Sequence, residues 1–233
     1  MIELSERIFE GHGLTVFENE RLLFGYSAMG FTSTALQRFL AGRPLLFLKQ
    51  THSDHILYQA DWLPAAAGDG LILQRPGAAA VIQTADCLPL FFFNDDQSRG
   101  GVIHVGWRGL HQGIEAKLIS LLGNDSGKYV FYLGPGIERK CYEVGEELPV
   151  LFRDKTYADR IFAALGGGKY SMDLKHGLTL SLRTAGIVPE RIRDSGLCTY
   201  CSKGRFPSYR RDGKTGKRIF NFIILKDPAA ATM

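Results

Sequence analysis

Short apolar runs of four to eight residues, closed by Gly, Asp or Pro, recur along this chain, and that pattern predicts strands. Residues 44–49 (PLLFLK) read as a buried strand running into Gln50, Thr51, His52 and Ser53. Residues 78–83 and 88–93 are rich in aliphatic and aromatic side chains, with Thr84, Ala85, Asp86 and Cys87 between them. Two further strands are predicted over 101–105, ending at GWRG, and 129–133, ending at GPG. A last one covers 219–225. The apolar period lengthens over 110–122, where Ile114, Leu118, Leu121 and Leu122 share a helical face and Gly123 stops the helix. Further helices are expected over 143–152, 157–165 and 174–185, and residues 202–218 read as a loop or hairpin. No compositional break or Pro/Gly/Ser linker cuts the chain, so the expectation is one mixed α+β domain over 1–233.

Composition adds little to this picture, and charge adds more. Apolar residues make up 45% and charged residues 22%, ordinary for a globular protein. The N-terminus, MIELSERIFE, is acidic where a signal peptide would be basic, and no apolar run approaches the roughly 20 residues that span a bilayer. A soluble, cytoplasmic protein with no membrane association is therefore expected. The four cysteines then read as ligands, nucleophiles or buried thiols rather than as a disulfide framework. The net charge of +4 is concentrated. Lys203, Arg205, Arg210, Arg211, Lys214, Lys217 and Arg218 face a single acid, Asp212, so this one segment carries +6 and the remainder −2. A local basic loop calls for an anionic ligand, a nucleic acid or simply a solvated face.

Three side chains stand out at strand ends, where rigid neighbours fix reactive groups and loops admit substrate. His52 follows the run 44–49, Cys87 sits between two apolar runs, and His104 is near the end of strand 101–105. Two imidazoles and a thiolate suit zinc, and three protein ligands leave a position open, the catalytic rather than the structural pattern. The ligands are 35 and 17 residues apart, which matches no short motif. Read singly, His104 is a core histidine and Cys87 a small buried apolar group.

The runs KQTHSD (49–54), QTADCLPLFF (83–92), HVGWRG (104–109), GPGIERKCYEV (134–144) and CT…FPSYRRDG…GKR (198–218) occur in this order. Together they resemble the laccase-domain family, also called multicopper polyphenol oxidoreductases or purine nucleoside phosphorylase-like proteins. The similarity covers 47–225. It implies an α+β sandwich with two mixed β-sheets face to face and helices outside, and a metal held by His52, Cys87 and His104. Zinc is the implied ion and copper the alternative. It also implies activity on purine nucleosides: phosphorolysis of adenosine, inosine or methylthioadenosine, and deamination of adenosine. The N-terminal segment FGYSAMGFTS (24–33) departs from the family's Arg-x-Gly-Gly-Val-Ser element, which leaves its part in substrate selection open.

Deamination calls for a metal-activated water and a carboxylate that shuttles the proton. Asp86 is the first candidate and Glu143 a second; the alternative for Asp86 is that it bonds turn amides. Phosphorolysis calls for a phosphate cradle. Arg108, at the start of a helix, can offer a guanidinium beside backbone N–H groups. Tyr209 with Arg210 and Arg211 can pair an aromatic ring with an anion, and nucleic acid binding through Phe206 and Tyr209 is the weaker use of the same loop. The single CxxC, Cys198 to Cys201, reads as structural without a second metal, and Cys141 as buried.

Two other chemistries compete. Cys87 and His104 can form a metal-free thiolate–imidazole nucleophile, as in a hydrolase or amidase, for which the family resemblance implies a peptidoglycan precursor as an alternative substrate. A copper phenol oxidase needs more imidazoles than the six histidines supply. The oligomeric state has no signature in the sequence.

Overall fold

The computed structural model describes residues 3–213 and 216–227; Lys214 of the basic segment lies outside the described residues. Two six-stranded sheets form the frame. From edge to edge the first runs Glu3–Phe9, His12–Glu18, Leu22–Ser27, Ile219–Leu225, Ala79–Thr84 and Leu45–Phe47. The second runs Ile192–Asp194, Tyr129–Leu133, Leu88–Asn94, Gly100–Val105, Gly70–Leu73 and Ile56–Tyr58. Both are mixed: the neighbours Leu45–Phe47 and Ala79–Thr84, Ile56–Tyr58 and Gly70–Leu73, and Tyr129–Leu133 and Ile192–Asp194 are parallel pairs, and the rest are antiparallel.

Strand alternation explains the layering, because successive side chains leave opposite faces. Phe91, Phe93 and Val102 of the second sheet meet Phe24, Ala80, Ile82 and Ile223 of the first, so the sheets pack face to face. Leu88, Leu90, Phe92 and Ile103 point the other way, under Leu110, Ile114, Leu118, Leu174 and Leu178 of the helices. On the far side, Val16, Val81, Phe220 and Phe222 of the first sheet lie beneath Ala35 and Leu36 of helix Ser33–Phe39. Both faces of the central strands of both sheets are covered. This is why the strands read as unbroken apolar runs, and it is the expected sandwich of two sheets with helices outside.

Several boundaries differ from those expected. The helix over 110–122 is two helices, Trp107–Gln112 and Ile114–Leu122, broken at Gly113, whose φ of 83° is left-handed. The region 143–152 opens with strand Glu143–Gly145 before helix Glu147–Phe152. The helix over 157–165 is corrected to one turn, Ala158–Ile161, followed by strand Phe162–Gly166. That strand folds back on Lys169–Met172 through Gly166, Gly167 and Gly168, all with positive φ. The basic segment includes a short helix, Tyr209–Asp212. The segment 24–33 serves the frame: it completes a buried strand, its Phe31 enters the core, and Thr32 Oγ1 caps the next helix by accepting from Ala35 N, 3.1 Å. Among the described residues, no helix is long and apolar enough to cross a membrane.

Candidate metal centre and its pocket

His52, Cys87 and His104 come together although no short motif links them. One ligand atom from each lies within 4.8 Å of the others, and the two imidazole rings are 4.8 Å apart, nearly edge to face. His104 comes from the buried strand Gly100–Val105, Cys87 from the turn entering Leu88–Asn94, and His52 from the loop after Leu45–Phe47. The two strands are antiparallel neighbours, which carries Cys87 to the end of the sheet where His104 stands. Gly106 completes the approach. A Cβ there would lie 2.9 Å from Cys87 Sγ and 3.3 Å from His52 Cδ2, so a glycine is needed for the loop to pass this close.

Asp69, a residue without any signal in the sequence, holds the centre in place. It is fully buried at the start of strand Gly70–Leu73, and its Oδ1 accepts from His104 Nδ1 at 2.8 Å. The same carboxylate accepts from the backbone N–H groups of Thr51 (3.1 Å), His52 (3.0 Å) and Ser53 (2.7 Å) and from the Ser53 hydroxyl (2.8 Å). One side chain thus fixes the ring of one histidine and the loop that bears the other. His104 Nδ1 is engaged, which leaves Nε2 to face Cys87. The loop conformation requires such support, because His52 has a left-handed φ of 59°, a cost of about 1–3 kcal/mol for a non-glycine residue.

The charges are mutually dependent. Burial opposes ionisation of Cys87, yet the neighbouring His104 and the hydrogen bonds from His104 and His52 bring the thiol down to about 6. Burial likewise opposes charge on His104, and the Cys87 thiolate and Asp69 raise it to about 9. Burial would raise Asp69, but its bonds from His104 and Ser53 hold it well below the carboxylate range. The protein alone therefore stores a thiolate–imidazolium pair against a buried carboxylate. The donor set fits a zinc-type ion: soft and borderline ligands, a thiolate already formed, and a carboxylate behind one histidine that fixes its free nitrogen.

The centre opens into a cavity of about 640 Å³ that also holds Trp107, Arg108, Tyr142, Tyr209, Arg210 and Arg218. A larger hollow of about 970 Å³, on the far side of Arg210, lacks the triad. Arg108 stacks over Trp107 at 4.3 Å. Its helix has only six residues, so the expected helix dipole contributes little and the guanidinium itself is what faces the cavity. Arg210 lies 5.3 Å from the Tyr142 ring and donates to Glu143 O at 2.6 Å. Tyr209 is half exposed at the rim.

Other expected residues are placed differently. Asp86 is buried with both carboxylate oxygens engaged: Oδ1 by Thr199 Oγ1 (2.6 Å), Oδ2 by Ser208 Oγ (3.0 Å) and Arg210 N (2.7 Å). Its φ of 87° is also left-handed. Asp86 anchors the loop that carries Tyr209 and Arg210 to the turn that carries Cys87. Glu143 is exposed, pairs with Lys169 and does not line the triad's cavity. Arg211 bonds to Thr199 O, Tyr200 O, Phe206 O and Asp212, and Arg205 pairs with Glu6, so these two basic residues brace the loop.

The family model described as multi-copper polyphenol oxidoreductase laccase matches residues 32–226. The chain belongs to this family. A purine nucleoside phosphorylase of Clostridium acetobutylicum is 32% identical over 185 residues, covering 77% of this chain and 76% of that protein. The purine nucleoside phosphorylase YfiH of Escherichia coli is 30% identical, covering 80% and 75%. The crystal structure of a Bacillus licheniformis hypothetical protein YfiH superposes with a TM-score of 0.83 at 26% identity, covering 91% of this chain and 96% of that one.

Proposed function

We propose that this protein is a zinc-dependent purine nucleoside phosphorylase, acting on adenosine, inosine or methylthioadenosine, with deamination of adenosine as a lesser activity. The observation that carries the reading is the convergence of the triad, three aromatic side chains and guanidinium groups in one cavity of nucleoside size. The relatives named purine nucleoside phosphorylase support the substrate class.

Phosphorolysis replaces the bond between C1′ of the ribose and the base nitrogen with a bond from C1′ to a phosphate oxygen. Positive charge develops on the sugar and negative charge on the departing base. Arg108, Arg210 and Arg218 of the cavity lining would bind phosphate, since a bidentate guanidinium is the natural partner for such an anion. Tyr142 and Tyr209 offer flat faces to a purine, while Leu48, Ile137 and Leu174 in the same lining exclude water. His52, Cys87 and His104 would hold the ion, which would supply Lewis-acid polarisation. Asp86 positions Arg210 through its backbone N–H; with both oxygens committed, it does not serve as the proton shuttle that efficient deamination requires.

Initial rates on adenosine and inosine, with and without phosphate, test this. Free base should appear only with phosphate, and Arg108→Ala should raise the phosphate KM roughly 10- to 100-fold, the worth of a charge-assisted contact. Base release independent of phosphate would overturn the reading.

One observation favours a second reading. The thiolate–imidazolium pair of Cys87 and His104 is also a metal-free nucleophile, as a hydrolase or amidase would use. Activity under that reading survives a chelator. The copper oxidase reading has less support, since the two groups of three ligating side chains among the described residues use only His52 and His104 of the six histidines.

A further inference from the structure

Cys198 and Cys201 read from sequence as a lone structural pair and Cys141 as an unrelated buried thiol. The structure brings all three together. Their sulfur atoms lie within 4.8 Å of one another, with Cys141 Sγ 3.3 Å from Cys201 Sγ. No disulfide joins them, and their burial is graded: Cys198 is buried, Cys141 intermediate and Cys201 exposed. The backbone N–H of Cys201 points at Cys198 Sγ, 3.5 Å away. An amide three residues on that donates to the first sulfur folds a CxxC into a turn that aims both sulfurs at one point.

We propose that Cys141, Cys198 and Cys201 form a second, thiolate-only site for a soft closed-shell cation, Zn(II) or Cu(I). Zinc–sulfur bonds of about 2.3 Å in a tetrahedral site set the sulfurs about 3.8 Å apart. One separation is 3.3 Å and the others are no more than 4.8 Å, so small side-chain rotations suffice. Both ions favour thiolate donors. Lys140 lies close enough to interact electrostatically with Cys141 and Cys201, which offsets the negative charge that three thiolates bring.

The location says what the ion does. Cys141 precedes Tyr142, a wall of the triad's cavity. Cys198 forms a bridge with Gly136, and Thr199, next in sequence, holds Asp86. Arg211 is bound to the carbonyls of Thr199 and Tyr200. An ion here clasps the segment 134–145 to the segment 198–212, the two loops that present Tyr142, Tyr209 and Arg210 to substrate. The site is structural and separate from the triad. It does not depend on what the triad binds.

The test uses the full chain, purified with reductant, loaded with zinc and desalted. The wild type should retain two ions, and Cys201→Ser and Cys87→Ala one each. Cys201 is exposed, so its replacement leaves the fold intact. In the Cys87→Ala background, Cd(II) should raise the ultraviolet thiolate-to-cadmium band to a limit at one equivalent. Adding Cys201→Ser should abolish most of that band. A parallel load with Cu(I) distinguishes the two ions by which displaces the other. A single ion lost in Cys201→Ser but kept in Cys87→Ala would uphold this site while removing metal from the triad. Zinc content and cadmium band unchanged by Cys201→Ser would overturn it, as would a Cys141–Cys201 disulfide in the freshly reduced protein.

Discussion

Asp69 supports the candidate metal centre from behind. It aligns His104 and ties down the backbone of Thr51, His52 and Ser53. Carboxylates behind ligating histidines typically account for 10- to 100-fold of metal affinity. Asp69→Asn should weaken zinc binding by about that factor in a chelator competition; unchanged affinity would show that the loop holds without it. Gly106→Ala tests the close approach. Its added methyl meets Cys87 Sγ at 2.9 Å, so zinc retention and activity should fall, with a stability loss of about 1–3 kcal/mol by denaturant titration. The third test concerns charge. In metal-free protein, alkylation of Cys87 followed by peptide mass mapping should be half-maximal near pH 6. The sign follows from the lowered value: the thiolate persists down to about pH 6, whereas an unperturbed thiol would need about 8.5. Bound zinc should protect it. A midpoint near 8.5 would remove the His104 partnership.

At the level of elements, the frame was legible in the sequence where both faces of a strand are covered. Residues 88–93 are uninterrupted apolar because Phe91 and Phe93 enter the core between the sheets while Leu88, Leu90 and Phe92 enter the one beneath the helices. Phe91→Ala should therefore cost about 3–5 kcal/mol in equilibrium unfolding, the usual price of emptying a fully buried aromatic site. The hairpin Glu3–Phe9 with His12–Glu18 has no apolar run to mark it, because its strands carry charges such as Glu6, Arg7 and Glu18. Residues 157–165 misled for the opposite reason. FAAL has helical composition, and pairing with Lys169–Met172 across three glycines overrides it. Within the site, the three ligands could be recognised through motif order. Asp69 could not, since it lies 17 residues from His52 and 35 from His104 and only the sheet brings it there. The thiol cluster was hidden likewise, because Cys141 and Cys201 are 60 residues apart.

Across the whole molecule, the two sheets serve as a rigid base and the loops at one end carry the proposed site. One sheet supplies Asp69, Cys87 and His104 at or beside its strand ends, and the basic loop, anchored by Asp86, brings Tyr209 and Arg210 over them. The concentrated positive charge is thereby divided. Arg205 and Arg211 brace the loop, while Arg210 and Arg218 line the cavity with Arg108. The proposed phosphorolysis depends on the triad as a metal centre. The most direct measurement is the initial rate of phosphate-dependent base release from inosine by chelator-stripped protein, titrated with zinc in the Cys201→Ser background so that only the triad takes up the ion. Negligible activity is expected without zinc, followed by a linear rise that levels off at one equivalent. Full activity in the stripped protein would contradict it and leave Cys87 and His104 as the reacting pair.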